Sequence, residues 1–483
     1  MPVQMPDIDL SLLLPEIIIT LAGAALLLAS AWLGKDGQRK IGLAAIAAIA
    51  VAALFSIVGG NGQAVETTFG GFFVADYFSV FMKVLMYLAT IMAILLGWDY
   101  SKRIGIANGE FYVLTLFSLL GAMIMASSGD FLTLYLGLEL MSLSIYILAA
   151  YRRDDPKSNE AGLKYFLLGS LASGLLLYGI SMIYGNTGTT LFSELPAILQ
   201  QGHLSAGLGL GLVLVIAGLA FKIAAAPFHM WAPDVYEGAP TSVTAFMAVL
   251  PKLAAFAAIY RILPGAFGHL QEQWSTILQL LALLSLAVGA FAAIVQTNIK
   301  RMLAYSSIGH VGYALIGLAA GGAEGFQAVL VYLAIYIFMN LGAFALILVL
   351  NHDGEFGESI TDYKGLAHKR PLLGFLMAMF MFSMAGIPPL AGFVGKFYVF
   401  MAAVKSGMLG VAIMGVLFSA VGAFYYLRIV KFMYFDQAED DFKMPVTSYS
   451  RVVIAVSSFV VLVWGIFPGY LLSWTEASIQ NFL

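Results

Sequence analysis

The chain has 483 residues, of which 61% are hydrophobic and 11% charged, with a formal net charge of −3 and a mean hydropathy of +0.91. Soluble domains run at ~45–50% apolar and ~25% charged, so this composition fits a membrane protein and no soluble class. The lack of cysteine excludes disulfides, thiolate-held iron–sulfur clusters and c-type haem on this chain, and the dispersed basic residues leave no footprint for nucleic acid.

The opening MPVQMPDIDL lacks the basic region of a signal peptide, which predicts a retained first helix. A helix needs about 20 apolar residues to cross the hydrocarbon core. Runs of that kind cover residues 11–33, 41–58, 74–97, 111–127, 131–150, 161–184, 206–227, 241–263, 276–295, 299–320, 325–350, 371–406, 408–434 and 452–472. The predicted fold is therefore an all-α integral membrane protein of about fourteen transmembrane helices. Its longest loop, 351–370, leaves no room for a soluble domain.

Basic residues set the orientation. Alternate loops, starting with Lys35, Arg39 and Lys40 and ending with Lys443 and Arg451, hold nearly all the loop lysines and arginines, including Lys102, Arg152, Lys157, Lys300 and Arg301. The opposite loops hold Arg261 and Lys405. This predicts a multi-pass protein of the cell inner membrane with both termini on the outer side.

Five lysines, Lys83, Lys164, Lys222, Lys252 and Lys396, fall within spans, with no arginine among them. Each charge at membrane depth costs a few kcal/mol. A desolvated ammonium can lose its proton near neutrality, whereas a guanidinium cannot, so lysine is the residue for proton traffic. Glu139 is the one acid well inside a span. Lys252 and Glu139 lie near mid-helix, beyond the reach of either interface. Lys164 and Lys83 lie nearer the ends, where a snorkelling or paired structural lysine is an equal alternative; Lys83 follows Asp76 by seven residues on one helical face. His310 reads either as a proton relay or as a packed core histidine.

Two segments are broken. Residues 206–240 carry Lys222 five residues before Pro227, and residues 371–406 carry Lys396 seven residues after Pro389, which follows Pro388. Irregular backbone at membrane depth survives where it is buried in protein or lines a cavity. A pair of interrupted helices at corresponding places points to an inverted-repeat transporter, against the alternative of ordinary proline kinks. The two five-helix units would be residues 111–263 and 264–434, after a three-helix segment over 1–110 and before a final helix in 435–483. The glycines at 207, 209 and 211 lie in an apolar helix without a preceding strand, so they read as packing rather than a dinucleotide fingerprint. His229 lacks ligand partners at metal-binding spacing, and no metal site is predicted.

The motifs LGLELMSL (136–143), LAFKIAAAPFHMWAPDVYEGAPTSVTAFMAVLPK (219–252), NIKRMLAYSSIGHVGY (298–313) and AGIPPLAGFVGKFY (385–398) resemble the antiporter-like proton-translocating subunits of respiratory complex I, a NADH-quinone oxidoreductase. The resemblance spans essentially the whole chain. It implies fourteen helices with two inverted five-helix repeats. It also implies roles: Glu139 as the partner of Lys222, Lys252 as a connecting lysine, His310 on the central polar axis, Lys396 as the terminal lysine and Lys164 as a lysine near an entrance. Among the siblings it resembles the type with lysine rather than an acid at 396 and without a long extension after the last helix. The resemblance implies no cofactor on this chain, with NADH, FMN, iron–sulfur clusters and quinone in partner subunits. Its implied partners are the lipid bilayer and the other membrane-arm subunits, sibling antiporter-like chains included. A subunit of a multi-subunit cation/proton antiporter shares these motifs and is the alternative, as is a scaffold whose lysines only bind neighbours. Opposite charges ~4 Å apart interact by about 4 kcal/mol at an effective dielectric of 20, enough to switch a buried lysine.

Overall fold

A computed structural model describes residues 8–33, 37–59, 65–106, 108–201, 205–351, 357–437 and 446–482. Lys35, Lys443 and the first seven residues of the acidic opening lie outside the described residues.

The chain runs α1 (Leu14–Leu33), α2 (Gln38–Gly59), a hairpin of β1 (Glu66–Thr68) and β2 (Phe73–Ala75), then α3 (Tyr77–Arg103). The first unit is α4 (Glu110–Ser127), α5 (Phe131–Ala149), α6 (Pro156–Thr187), a short α7 (Leu195–Gln201), α8 (Ala206–Ile223), α9 (Trp231–Gly238) and α10 (Thr241–Tyr260). The second is α11 (Gln271–Ile294), α12 (Ile299–Ala320), α13 (Gly322–Leu350), a one-turn α14 (Leu366–Lys369), α15 (Pro371–Ala385), α16 (Ala391–Lys405) and α17 (Leu409–Phe435). The last elements are α18 (Ser448–Ile466) and α19 (Gly469–Ile479).

Thirteen helices among the described residues are long and apolar enough to cross a membrane. The remaining predicted span, the twelfth, is the pair of half-helices α15 and α16. Fifteen residues rise about 22 Å, short of a ~30 Å hydrocarbon core, so two such pieces make one crossing.

Several differences from the sequence expectation have clear causes. The span predicted to start at residue 74 starts at Tyr77, because Val74 and Ala75 are taken by β2, paired antiparallel with β1, and Asp76 caps α3 with a reciprocal capping box. The last span ends at Ile466 because Pro468 starts a separate helix. Arg261, predicted in a loop, is 7% exposed in a π-helical turn. Lys300, also assigned to a loop, is 3% exposed in the first turn of α12.

One device recurs in the two units. Asp130 caps α5 and forms an antiparallel bridge to Leu191, beyond the end of α6; Asn298 caps α12 and bridges to Ser359, beyond the end of α13. The second helix of each unit is thus pinned to the chain that leaves the third, and the fourth helix of each is broken. At the centre, α10 and α13 are buried along their whole apolar windows, and α12 nearly so. They have no lipid-facing side, so their polar residues must find partners within the protein.

Candidate functional site

On α5, Glu139, Ser142 and Tyr146 follow one another at helical spacing of three and four and share a face. Lys222, in the last turn of α8 and 2% exposed, reaches that face. Its Nζ donates to Ser142 Oγ at 2.8 Å and Tyr146 Oη at 3.1 Å. The direct pairing with Glu139 that the resemblance implies is not formed. Ser142 and Tyr146 take two of the ammonium's donors, and Glu139 Oε1 is buried without a hydrogen-bond partner. Glu139 itself is half-buried and borders an exposed apolar stripe of Leu132, Leu136, Leu143 and Ile147. It therefore stands at the margin of the molecule.

Lys252 is the centre of the row. It follows Pro251 on α10, and its Nζ donates to Tyr236 Oη at 2.7 Å and Ala248 O at 3.2 Å. The same carbonyl accepts from Tyr336 Oη at 3.2 Å, and Tyr336 is bonded to Ser307 at 2.9 Å and Asn340 at 3.0 Å. His310, on α12, bonds Tyr332 Oη through Nδ1 at 2.6 Å and Tyr426 Oη through Nε2 at 3.1 Å, and Tyr426 is bonded to Ser306. Two cavities flank the imidazole. Each is small, with room for about one water molecule; one is lined by Lys252, Tyr332 and Tyr336 among others, the other by Tyr313, Lys396, Ser419 and Tyr426 among others. His310 lines both, and so joins the Lys252 side to the Lys396 side.

Lys396 ends the row. Its Nζ donates to Ala385 O and Ser419 Oγ, each at 2.9 Å, and lies 4.7 Å from the Tyr313 ring centre. Pro388 and Pro389 form the turn between α15 and α16, and Pro227 opens the turn between α8 and α9; the Ala226–Pro227 and Pro388–Pro389 bonds are cis. His229 sits in the turn between α8 and α9, half-buried. No hydrogen bond among the described residues links it to Lys222 or Lys252.

The other two lysines stand apart from the row. Lys164 is at the edge, 41% exposed, bridged to Glu160 and Asp234 at 2.7 Å each, and Arg301 binds Asp234 and Glu237 from the other side. Lys83 pairs with Glu16 at 2.6 Å, both buried. Asp76, the partner suggested by helical spacing, is instead taken by Arg261 in a two-pronged bridge of 2.6 and 2.7 Å, the geometry a planar guanidinium favours. Glu16, two residues into α1, is thus a buried acid, as are Asp76 and Asp130.

The residues that sequence reasoning missed are the tyrosines. Tyr146, Tyr236, Tyr332 and Tyr426 supply most of the side-chain hydrogen bonds to Lys222, Lys252 and His310, and Tyr336 shares the Ala248 carbonyl with Lys252. Tyrosine on an apolar helix reads as packing volume, and only its hydroxyl's need for a partner when buried gives it away. The one available signal was spacing: Tyr332 and Tyr336 are one turn apart, and Tyr146 is two turns beyond Glu139.

The family model described as NADH:quinone oxidoreductase/Mrp antiporter, TM, matches residues 128–422. A NADH-quinone oxidoreductase subunit N from Magnetococcus marinus is 60% identical, with all of both chains covered. One from Paramagnetospirillum magneticum is 51% identical over 98% of each chain. Among solved structures, a chain of respiratory complex I from Thermus thermophilus with bound aureothin superposes with a TM-score of 0.81 at 33% identity, covering 95% of this chain and 99% of that one. A chain of the Mrp complex from a Dietzia species gives 0.84 at 21% identity, covering 98% and 97%, a likeness of fold.

Proposed function

This chain belongs to the NADH-quinone oxidoreductase subunit N family, and from that premise we propose that it carries protons along its buried row, driven by electron transfer from NADH to quinone in other subunits. It is a multi-pass protein of the bacterial inner membrane. The basic loops face the cytoplasm and both termini the outside. Its partners are the other membrane-arm subunits, sibling antiporter-like chains among them; NADH, FMN and quinone belong to partner subunits, as do iron–sulfur clusters, for which this chain has no cysteine.

The observation that carries the reading is the burial of three lysines and a histidine among polar side chains in the membrane interior. Lys222, Lys252, His310 and Lys396 are each buried and bonded to hydroxyls, Glu139 is half-buried on the helix that supplies the hydroxyls of Lys222, and His310 lines the cavities on both of its sides. Buried lysines held by neutral hydroxyls and carbonyls, with no carboxylate in contact, are poised to give up a proton when the local field changes. Glu139 supplies the field. When its carboxylate approaches Lys222 the ammonium is favoured; when a neighbouring subunit draws or neutralises it at the margin, Lys222 releases its proton toward Lys252. Repulsion between adjacent ammonium groups moves charge on past His310 to Lys396. Lys164, in its ion cluster, acts near an entrance rather than on the row.

In the complete complex reconstituted into vesicles, Lys222→Ala should lower the number of protons moved per NADH oxidised. An undiminished ratio would sink the assignment. The fold likeness to the Mrp chain keeps a cation/proton antiporter as the second reading. Proteins co-purifying in mild detergent separate the two: redox subunits support the first, their absence beside other antiporter chains the second.

A further inference from the structure

A polar vestibule opens on the side of the basic loops. It is walled by Arg152, Asp155, Lys157 and Glu237, and its floor is formed by Lys300 and Glu358. Lys300 Nζ lies 2.6 Å from Glu358 Oε1 and donates to Ala239 O at 3.2 Å; the lysine side chain is 3% exposed and the glutamate 20%. Backbone stitches fix the glutamate's chain against α12, with Ile299 N donating to Glu358 O at 2.7 Å and Ile360 N to Thr297 O at 2.8 Å. The backbone is pinned, and the side-chain pair is what can open.

Directly beneath the pair lies a polar trail into the row. The Thr244 hydroxyl donates to the backbone carbonyl of Tyr236 at 3.0 Å and lies 3.4 Å from Ala239 O, the carbonyl that Lys300 holds. Tyr236 carries Lys252 on its hydroxyl. Beside it Tyr100, a vestibule wall residue, is bonded to Thr241 Oγ1 at 3.4 Å and to the Thr241 amide at 3.2 Å. On the same α3–α10 contact, the hydroxyls of Ser101 and Ser242 are buried and have no protein partner, the condition under which interior water is bound. Lys300, Ser307 and His310 mark one stripe of α12, so the floor and the row are joined along that helix as well.

The ionic floor belongs to one unit only. In the first unit the corresponding position, two residues after the cap of α5, is Leu132, which is exposed and cannot pair. A merely structural stitch would be expected in both units, since both have the bridge.

We infer that the Lys300–Glu358 pair is a side-chain latch that closes a cytoplasmic proton intake leading through Thr241, Thr244 and Tyr236 to Lys252. Opened, the latch admits water to the hydroxyl trail, and Lys252 in its amine form takes up the proton; closed, it keeps that proton from returning. The intake role rests on the proposed proton-carrying function, whereas the latch itself can be tested without turnover.

The chain has no cysteine of its own, so a single Thr241→Cys gives a reporter just below the latch. In membranes carrying the assembled complex with the basic-loop face outward, its modification by 2-aminoethyl methanethiosulfonate is followed by mass analysis of this subunit. With Glu358→Gln, and likewise Lys300→Ala, labelling should quicken about tenfold, equivalent to ~1.4 kcal/mol of latch stability. Lys300→Arg, which keeps the pair, should stay slow. Ser242→Cys is the second reporter if Thr241→Cys fails to assemble. Equal labelling in all variants overturns the latch, as does a loss of assembled complex with unchanged labelling of what assembles. If labelling quickens while Lys222→Ala pumps normally, the latch stands and the proton-carrying reading falls. If labelling is flat while Lys222→Ala loses pumping, the reverse holds.

Discussion

The two broken helices reach one electrostatic solution by opposite routes. In the first, Lys222 precedes the break and sits in the last turn of α8. In the second, Lys396 follows the break, on α16, and reaches back to the carbonyl of Ala385, the last residue of α15. Either way the ammonium lies at the C-terminal, negative end of a half-helix, where a cation is favoured. The surroundings differ in one respect. Lys222 has Glu139 on the neighbouring helix, whereas Lys396 has a carbonyl, a hydroxyl and the Tyr313 ring, with no carboxylate in contact. What is repeated is the seat for a cation; what is not repeated is a carboxylate on the helix beside it.

If both seats serve one row, Lys222→Ala and Lys396→Ala should each remove this subunit's contribution to pumping, and the double variant should lose no more than either alone, because residues acting as a unit are non-additive. The proton-to-electron ratio of the reconstituted complex decides it, and additive losses would split the row in two. A smaller effect is expected at Glu139, the proposed switch. Glu139→Gln should slow NADH-driven proton uptake about tenfold if the lost charge coupling is ~1.4 kcal/mol. An unchanged rate would leave the two seats equivalent. The smallest effects concern the breaks themselves. Gly386 ends α15 with φ +88°, and a Cβ there would lie 2.8 Å from Lys396 Cδ, whereas Ala224 ends α8 at φ +58° with its Cβ already present. Gly386→Ala should destabilise the purified complex by ~1–3 kcal/mol, and Ala224→Gly should stabilise it by up to ~1 kcal/mol. Thermal unfolding measures both, and equal shifts would show that the two breaks tolerate a side chain alike.

Much of this architecture is written in residue spacing that a reader can follow. Apolar runs of bilayer length mark the spans, and Pro227, Pro388 and Pro389 mark the breaks because proline removes a backbone donor. The buried lysines stand out because charge at membrane depth is rare. Partner choice was not legible. Lys83 and Asp76 share a helical face, yet each pairs with a residue remote in sequence, Glu16 and Arg261. Sequence distance says nothing of which helices will meet. Nor could Lys300 be told from its neighbour Arg301. Both follow Asn298 in a loop-like polar stretch, and only the docking of Ser359 and Glu358 onto the start of α12 buries one and leaves the other at the rim.

The wholly interior helices bear on how the protein is made. A helix without a lipid-facing side has no comfortable resting place in a bilayer until its neighbours are present. α12, which holds His310 and Lys300, is the least apolar of the spans. It emerges from the ribosome before α13 and α16, against which it packs. During biogenesis it must therefore be retained by the insertion machinery, or sheltered by α11, until the rest of its casing arrives. Slowed synthesis of the second unit would strand a histidine and a lysine in the membrane with nothing yet to bond them, and such half-made chains are natural targets for membrane quality control.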